Sequence, residues 1–375
     1  MNRSLKLVTI SIFAWGVGEG MFLLFQPIYL LKLGADPIWI GAVLGGMGFM
    51  TTIAQIPSGY LSDRFGMRPI MWISWIWGTL AAWFMALSNS LPLFVVGLLL
   101  YGLTGSVMAP MNAYITAMRG KWSAERALTF TSAAYHLGTV IGPTLGGFLG
   151  QKYDLKLLYL IAAILFIIST ALILGIKKPS IEIHHDPGSS SEIIHNRIFL
   201  RLVTLGFITI FFMLFAQSLT PIYLETTHQL NLQEIGLLGT IGSFGNVALA
   251  LAAGSLPARI GFLIGIPATL LFPLLLWQGK NFSMFGAAYF FFGGYRLSRS
   301  MLLALTRKFV ASKNLGFAYG VMETANGLAL ILAPALSGLV YNQNQNAMFI
   351  ISIVGLFIIF IVNLFVLPSN PGRSV

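Results

Sequence analysis

The chain is predicted to be an all-α membrane protein, with twelve transmembrane helices in two pseudo-symmetric six-helix bundles. Three observations predict this. The 375 residues are 57% hydrophobic and only 9% charged, whereas soluble domains carry about 25% charged residues, too few here to cover a water-facing surface. Apolar runs of about 20 residues, the length that crosses a bilayer as a helix, recur along the whole sequence. The basic residues fall at alternate ends of these runs, sixteen on one side and four on the other.

The elements follow in order. The first helix is expected over 5–32 and the second over 38–61. A short charged loop leads to the third over 69–88, then the fourth over 91–118, the fifth over 124–150 and the sixth over 156–176. Pro179–Asn196 is polar, with Pro, Gly and three consecutive Ser, and reads as a flexible linker. The expected division is a bundle over 1–178, a linker over 179–197 and a second bundle over 198–375. The remaining helices are expected over 199–225, 233–257, 261–278, 282–307, 315–341 and 346–367.

Arg3, Lys6, Arg64, Arg68, Arg119, Lys121, Arg126, Lys177, Lys178, Arg197, Arg201, Arg259, Arg307, Lys308, Lys313 and Arg373 share one side; Lys32, Lys152, Lys156 and Lys280 lie on the other. By the positive-inside rule both termini and the linker are cytoplasmic, and the protein is a multi-pass resident of the plasma or inner membrane. The same distribution explains the net charge of +11 without nucleic acid. The first apolar run is too long for a signal-peptide core and ends in Gln26-Pro27. Cys is absent, which excludes disulfides and thiolate metal sites. His184, His185 and His195 in the linker read as solvated residues, so no metal is expected.

The halves repeat. Gln26-Pro27-Ile28-Tyr29-Leu30 returns as Thr220-Pro221-Ile222-Tyr223-Leu224, and Ile40-Gly41 as Ile235-Gly236. Gly59–Gly66 returns as Gly254–Gly261, with Ala258 in place of an acid. Gly142-Pro143 with Gly146-Gly147 returns as Ala333-Pro334 with Ser337-Gly338. Parallel six-helix repeats around an axis normal to the membrane are a transporter architecture.

The loop Gly59–Pro69, GYLSDRFGMRP, carries Gly59, Asp63, Arg64, Gly66 and Arg68 in the pattern G-x-x-x-D-R-x-G-x-R. Its glycines allow close helix approach, and Asp63 can accept charge-assisted hydrogen bonds. The fifth helix carries Gly138, Gly142, Pro143, Gly146 and Gly147 in G-x-x-x-G-P-x-x-G-G. Small residues there permit close packing, and Pro143 allows a bend. The first motif resembles the loop between the second and third helices of the major facilitator superfamily, and the second its antiporter motif. The resemblance covers the whole chain and points to the drug/proton antiporter-like branch of bacterial or archaeal members. It implies that the loop is a cytoplasmic conformational latch, and that the first, fourth, seventh and tenth helices line a central cavity. Met67 stands where many members carry a basic residue, and the fourth helix has no basic residue before Arg119.

Between helix ends the ionisable residues are Glu19, His136, Arg296, Arg299 and Glu323. A charge in hydrocarbon costs about 2.5–3.5 kcal/mol on insertion scales, so such residues face protein or a wet cavity. At about 1.5 Å per residue, Arg299 and Glu323 lie roughly 12 and 14 Å from the cytoplasmic edge, and Arg296 and Glu19 roughly 16 and 20 Å. Arg299–Glu323 is expected as a structural pair and Arg296–Glu19 as a substrate or proton site; the alternative is that all four form structural pairs. His136 is expected to hydrogen-bond within its bundle.

Neither an H-E-x-x-H pair nor a Gly-rich phosphate loop is present, so the chain is not expected to be an enzyme or an ATP-driven pump, and no cofactor is expected. The leading expectation is a secondary transporter working by alternating access, exporting small amphipathic compounds with a coupling proton. The alternative is a transporter of an organic or phosphorylated anion held by Arg296 and Arg299. A non-transporting membrane sensor is the remote alternative. The expected partners are a small-molecule substrate, the lipid bilayer and a proton, with the protein a monomer.

Overall fold

A computed structural model describes residues 2–178, 195–254, 256–310 and 315–367. The side chains of Ile56, Gly59, Asp63, Ala109, Glu125 and Gly316 are outside the description, as are linker residues 179–194. The first half of the sequence forms α1 (Arg3–Leu23), α2 (Gln26–Lys32), α3 (Pro37–Phe65), α4 (Met67–Leu87), α5 (Leu91–Gly102), α6 (Met108–Ala117), α7 (Ala124–Lys152) and α8 (Leu155–Leu174). The second half forms α9 (Arg197–Phe215), α10 (Thr220–Thr226), α11 (Leu232–Ala253), α12 (Ala258–Gln278), α13 (Phe282–Phe291), α14 (Gly293–Phe309), α15 (Leu315–Gln343) and α16 (Gln345–Val366).

Four spans that the sequence reads as continuous are broken. The first parts between α1 and α2, the fourth at the 3-10 turn Leu103–Val107, the seventh at the 3-10 turn Gln217–Leu219, and the tenth at Phe292. Three of these breaks have the same cause. Leu23, Ser106 and Gln217 stand four residues ahead of Pro27, Pro110 and Pro221, where the proline ring collides with the carbonyl it cannot bond. The fourth break precedes the pair Gly293-Gly294. Pro57, Pro143 and Pro334 lie inside unbroken helices, so proline alone does not dictate a break. The broken spans are the first, fourth, seventh and tenth.

Ten helical stretches among the described residues are long and apolar enough to cross a membrane. The two expected spans outside that set are the fifth, α7, whose small and polar residues dilute its hydropathy, and the tenth, split into α13 and α14.

Contacts group the chain into two units. The first takes in Met1–Asp36, Gly46–His185 and Pro221–Thr240; the second takes in Pro37–Gly45, Asp186–Thr220 and Ile241–Val375. In the first unit α1 lies along α7 and α8, and α4 along α5 and α8. Glycines set the α1–α7 approach: a Cβ on Gly138 would lie 2.6 Å from the Phe13 carbonyl, and one on Gly142 would lie 2.7 Å from Gly20. Small hydroxyls join the helices elsewhere, with Thr79–Thr170 and Ser11–Ser169 each at 2.7 Å. On α4, Trp75 and Trp72 turn inward, not to the lipid face where tryptophan often anchors a helix. Their indole nitrogens donate to Ser169 Oγ at 2.8 Å and to the Ile173 carbonyl at 2.9 Å.

In the second unit α12 packs on α13, α14 and α16, and α9 packs on α15 and α16. Phe199, Leu202, Phe262, Ile266, Leu302 and Leu356 are buried in its core. The sequence repeat returns as a repeated contact, one in each unit. A Cβ on Gly236 would strike the Pro143 carbonyl and come 3.0 Å from Gly147 Cα; a Cβ on Gly41 would strike the Pro334 carbonyl and come 3.0 Å from Gly338 Cα.

Candidate functional site

In the first unit the polar centre is Glu19. It lies one turn beyond Trp15 on α1, so the two share a face. Both are half-buried. Gly16, Gly18 and Gly20 alternate with them, and these small residues let α7 and α8 close around the helix. The Tyr101 hydroxyl donates to Glu19 Oε1 at 3.1 Å, and the Tyr135 hydroxyl donates to Oε2 at 2.7 Å. Trp15 stacks on Phe166 with 3.9 Å between ring centroids and lies 6.2 Å from the nearly parallel Tyr101 ring. Phe22 meets Tyr101 edge-on at 5.4 Å. Two neutral hydroxyls thus donate to the carboxylate beside an aromatic wall. His136 follows Tyr135 on α7, half-buried, with its ring 5.4 Å from the Tyr135 ring.

In the second unit α14 and α15 bring Arg299 and Glu323 together, Nη2 to Oε2 at 2.6 Å, with the side chains 37% and 27% exposed. The Tyr295 hydroxyl also reaches Arg299. Arg296, one turn earlier, is exposed and has no hydrogen bond or ion pair within its unit among the described residues. The expected Arg299–Glu323 level is therefore shared by a formed pair. Glu19 belongs to the first unit and Arg296 to the second.

At the charged loop, Gly66 adopts φ 87° and precedes α4, a conformation that favours glycine. Its amide donates to the Ser62 carbonyl at 2.9 Å. Arg68 lies over the Trp72 ring at 4.1 Å and Arg64 over Phe65 at 5.4 Å. Gly59 and Asp63 are helical, but their side-chain surroundings lie outside the described residues. In the second copy of the motif, Arg259 Nη2 donates to the Leu364 carbonyl at 3.0 Å, near the end of α16. On α7, Gly138, Gly142 and Gly146 turn to α1, while Gly147 turns to the start of α11.

Outside the membrane-spanning segments, burial lowers the pKa of His228 from its ordinary value; its ring sits 5.0 Å from that of Tyr223. Among the described residues no group of three or more His, Asp or Glu is placed to hold a metal ion. His195 is exposed, and His184 and His185 lie outside the described residues.

Sequence reading singled out Glu19 but not its neighbours Trp15, Tyr101 and Tyr135. Trp15 had a signal in its four-residue spacing from Glu19. The tyrosines, 82 and 116 residues away, had none.

Residues 8–294 and 203–375 match the family model described as Major Facilitator Superfamily. Multidrug resistance protein 1 of Bacillus subtilis is 20% identical over 369 residues, 95% of this chain and 94% of its own length. Multidrug resistance protein MdtG of Salmonella typhi is 28% identical over 279 residues, 69% of this chain and 68% of its own. Across the curated relatives the matched share of their length runs from 38% to 94%. The solved structure of the nucleoside transporter NupG superposes with a TM-score of 0.85 at 12% identity, covering 97% of this chain and 99% of that one; this is a likeness of fold. With its helical architecture, its membrane-spanning composition and these matches, the chain belongs to the Major Facilitator Superfamily and is a multi-pass membrane transporter, not an enzyme.

Proposed function

We propose that the chain is a secondary active transporter, working by alternating access between two six-helix halves, that exports small amphipathic compounds in exchange for protons. The observation that supports this is the setting of Glu19. Its two carboxylate oxygens accept from the tyrosine hydroxyls of Tyr101 and Tyr135, which are neutral donors. Protonating the carboxylate leaves these two hydroxyls uncharged and still able to hydrogen-bond it. Protonating Glu323 would strand Arg299, which lies 2.6 Å away, at the cost of leaving a charge without its partner. Of the two membrane-level carboxylates, Glu323 is committed to a cation, and the proton-carrying role is assigned to Glu19. The names of the multidrug resistance relatives support efflux as the direction.

The test is flux in proteoliposomes. Glu19→Gln should reduce gradient-driven efflux to the level of empty vesicles while downhill exchange persists, because only the proton step is removed. Proton-driven efflux by Glu19→Gln at the wild-type rate would refute the reading. The termini and linker are proposed to be cytoplasmic; a periplasmic signal from a C-terminal reporter fusion would overturn that topology.

A further inference from the structure

The exposed face of α14 is an unusual surface for a helix at membrane level. Its residues Gly293, Gly294, Leu297, Ser298, Met301, Leu302 and Leu305 are buried. Gly294 and Ser298 pack tightly on Gly265 of α12, which fixes the rotation of the helix about its own axis. The residues turned the other way, one turn apart, are Arg296, Ser300, Ala304 and Arg307, all exposed, with Arg299 half-exposed beside them. A face with this charge is costly against hydrocarbon, so it borders water or a ligand.

The charges on this face are not equivalent. Arg299 is neutralised by Glu323 at 2.6 Å. Arg307 lies in the last turn of α14, where a cation meets the negative end of the helix dipole. Arg296 has no acceptor within its unit and sits in the first turn, where the dipole repels a cation. The imbalance nearby is one-sided. The Asn326 amide nitrogen, on the α15 face that carries Glu323, is buried without an acceptor. Among the described residues of this unit, Arg296 and the Asn326 amide nitrogen are thus donors without an acceptor.

We infer that Arg296 is the recognition group for a single anionic headgroup, a carboxylate or sulfonate, on the amphipathic cargo, with the Arg299–Glu323 pair holding α14 and α15 in place rather than binding cargo. A guanidinium engages such a group through two parallel N–H donors. The Arg307–Ser300–Arg296 stripe gives an anion a graded path from the end of α14 to its first turn. This inference rests on the transport reading above and narrows the cargo class, but it does not depend on proton coupling.

The test therefore uses equilibrium binding, with no gradient. Purified full-length protein is titrated with naphthalene-1-sulfonate, the neutral naphthalene-1-sulfonamide and the cationic 1-naphthylmethylammonium, following thermal shift and tryptophan quenching. The sulfonate is expected to bind at least about tenfold more tightly than the sulfonamide, a difference of about 1.4 kcal/mol. Arg296→Gln should abolish that ratio with sulfonamide affinity and melting temperature unchanged. Arg296→Lys, which keeps the charge but loses the fork, should retain part of it. Equal binding of all three probes, a preference for the cation, or an undiminished sulfonate preference in Arg296→Gln would overturn the inference. Loss of gradient-driven flux in Glu19→Gln, or its persistence, leaves these binding ratios unaffected, so the two readings fail separately.

Discussion

The two halves of the chain handle a membrane-level carboxylate in different ways. In the first, Glu19 is held by two phenolic hydroxyls and backed by stacked Trp15, Phe166 and Tyr101. In the second, Glu323 is spent on Arg299. One acid thus meets hydroxyl donors, while the other balances a cation whose loss would leave a charge unpaired. The repeat therefore preserves backbone contacts, such as Gly236 on Pro143 and Gly41 on Pro334, while the membrane-level acids of the two halves stand at non-equivalent positions with different partners.

The first test is of the paired charge. Glu323→Ala should destabilise the protein by roughly 2 kcal/mol, between the values for exposed and buried pairs because both side chains are about a third exposed. Arg299→Met with Glu323→Met should recover most of that loss in thermal melting. A double variant no more stable than Glu323→Ala would remove the contrast between the halves. Next comes the shared backbone. Gly236→Ala and Gly41→Ala should each cost about 1–3 kcal/mol by overpacking, and by equal amounts. Gly320→Ala, which meets nothing within 4 Å, should cost nothing. Unequal costs at Gly236 and Gly41 would show that the repeated contact is not equivalent.

The charged loop tests conformational balance. Asp63→Asn should slow transport without impairing insertion, shifting the inward/outward equilibrium by about 1.5–3 kcal/mol, as read by accessibility labelling. Unchanged rates and labelling would reduce the motif to a topology signal. The smallest effect is at His228, half-buried against Tyr223. Its pKa is lowered by burial, so below its ordinary value of about 6.5 the unfolded chain binds a proton that the folded chain resists. Stability should therefore fall as pH drops from about 7 to 5.5, and His228→Gln should flatten that dependence. A melting temperature with the same slope in both proteins would dismiss the histidine as its source.

Spans, repeat and motifs were legible because hydropathy and small-residue spacing are local properties of sequence. Counting residues also brought Arg299 and Glu323 to one level, since both are measured along their own helices. The partners of Glu19 were not legible: Tyr101 and Tyr135 reach it only through the packing of α1 between distant helices, which no spacing encodes. The breaks were missed for a different reason. Pro27, Pro110 and Pro221 interrupt their helices while Pro57, Pro143 and Pro334 do not, so the residue type alone does not place a break.

One of those breaks has a mechanical consequence. The five residues Leu103–Val107 are wound as a 3-10 helix, which advances about 2.0 Å and 120° per residue against about 1.5 Å and 100° in an α-helix. Rewinding them would shorten the fourth span by about 2.5 Å and turn α6 against α5 by about 100°. Tyr101 stands two residues before this segment, bonded through its hydroxyl to Glu19 and through its carbonyl to the Thr104 hydroxyl at 2.7 Å. The turn thus sits between the hydroxyl that meets the carboxylate and α6, which ends at Ala117, just before Arg119 and Lys121.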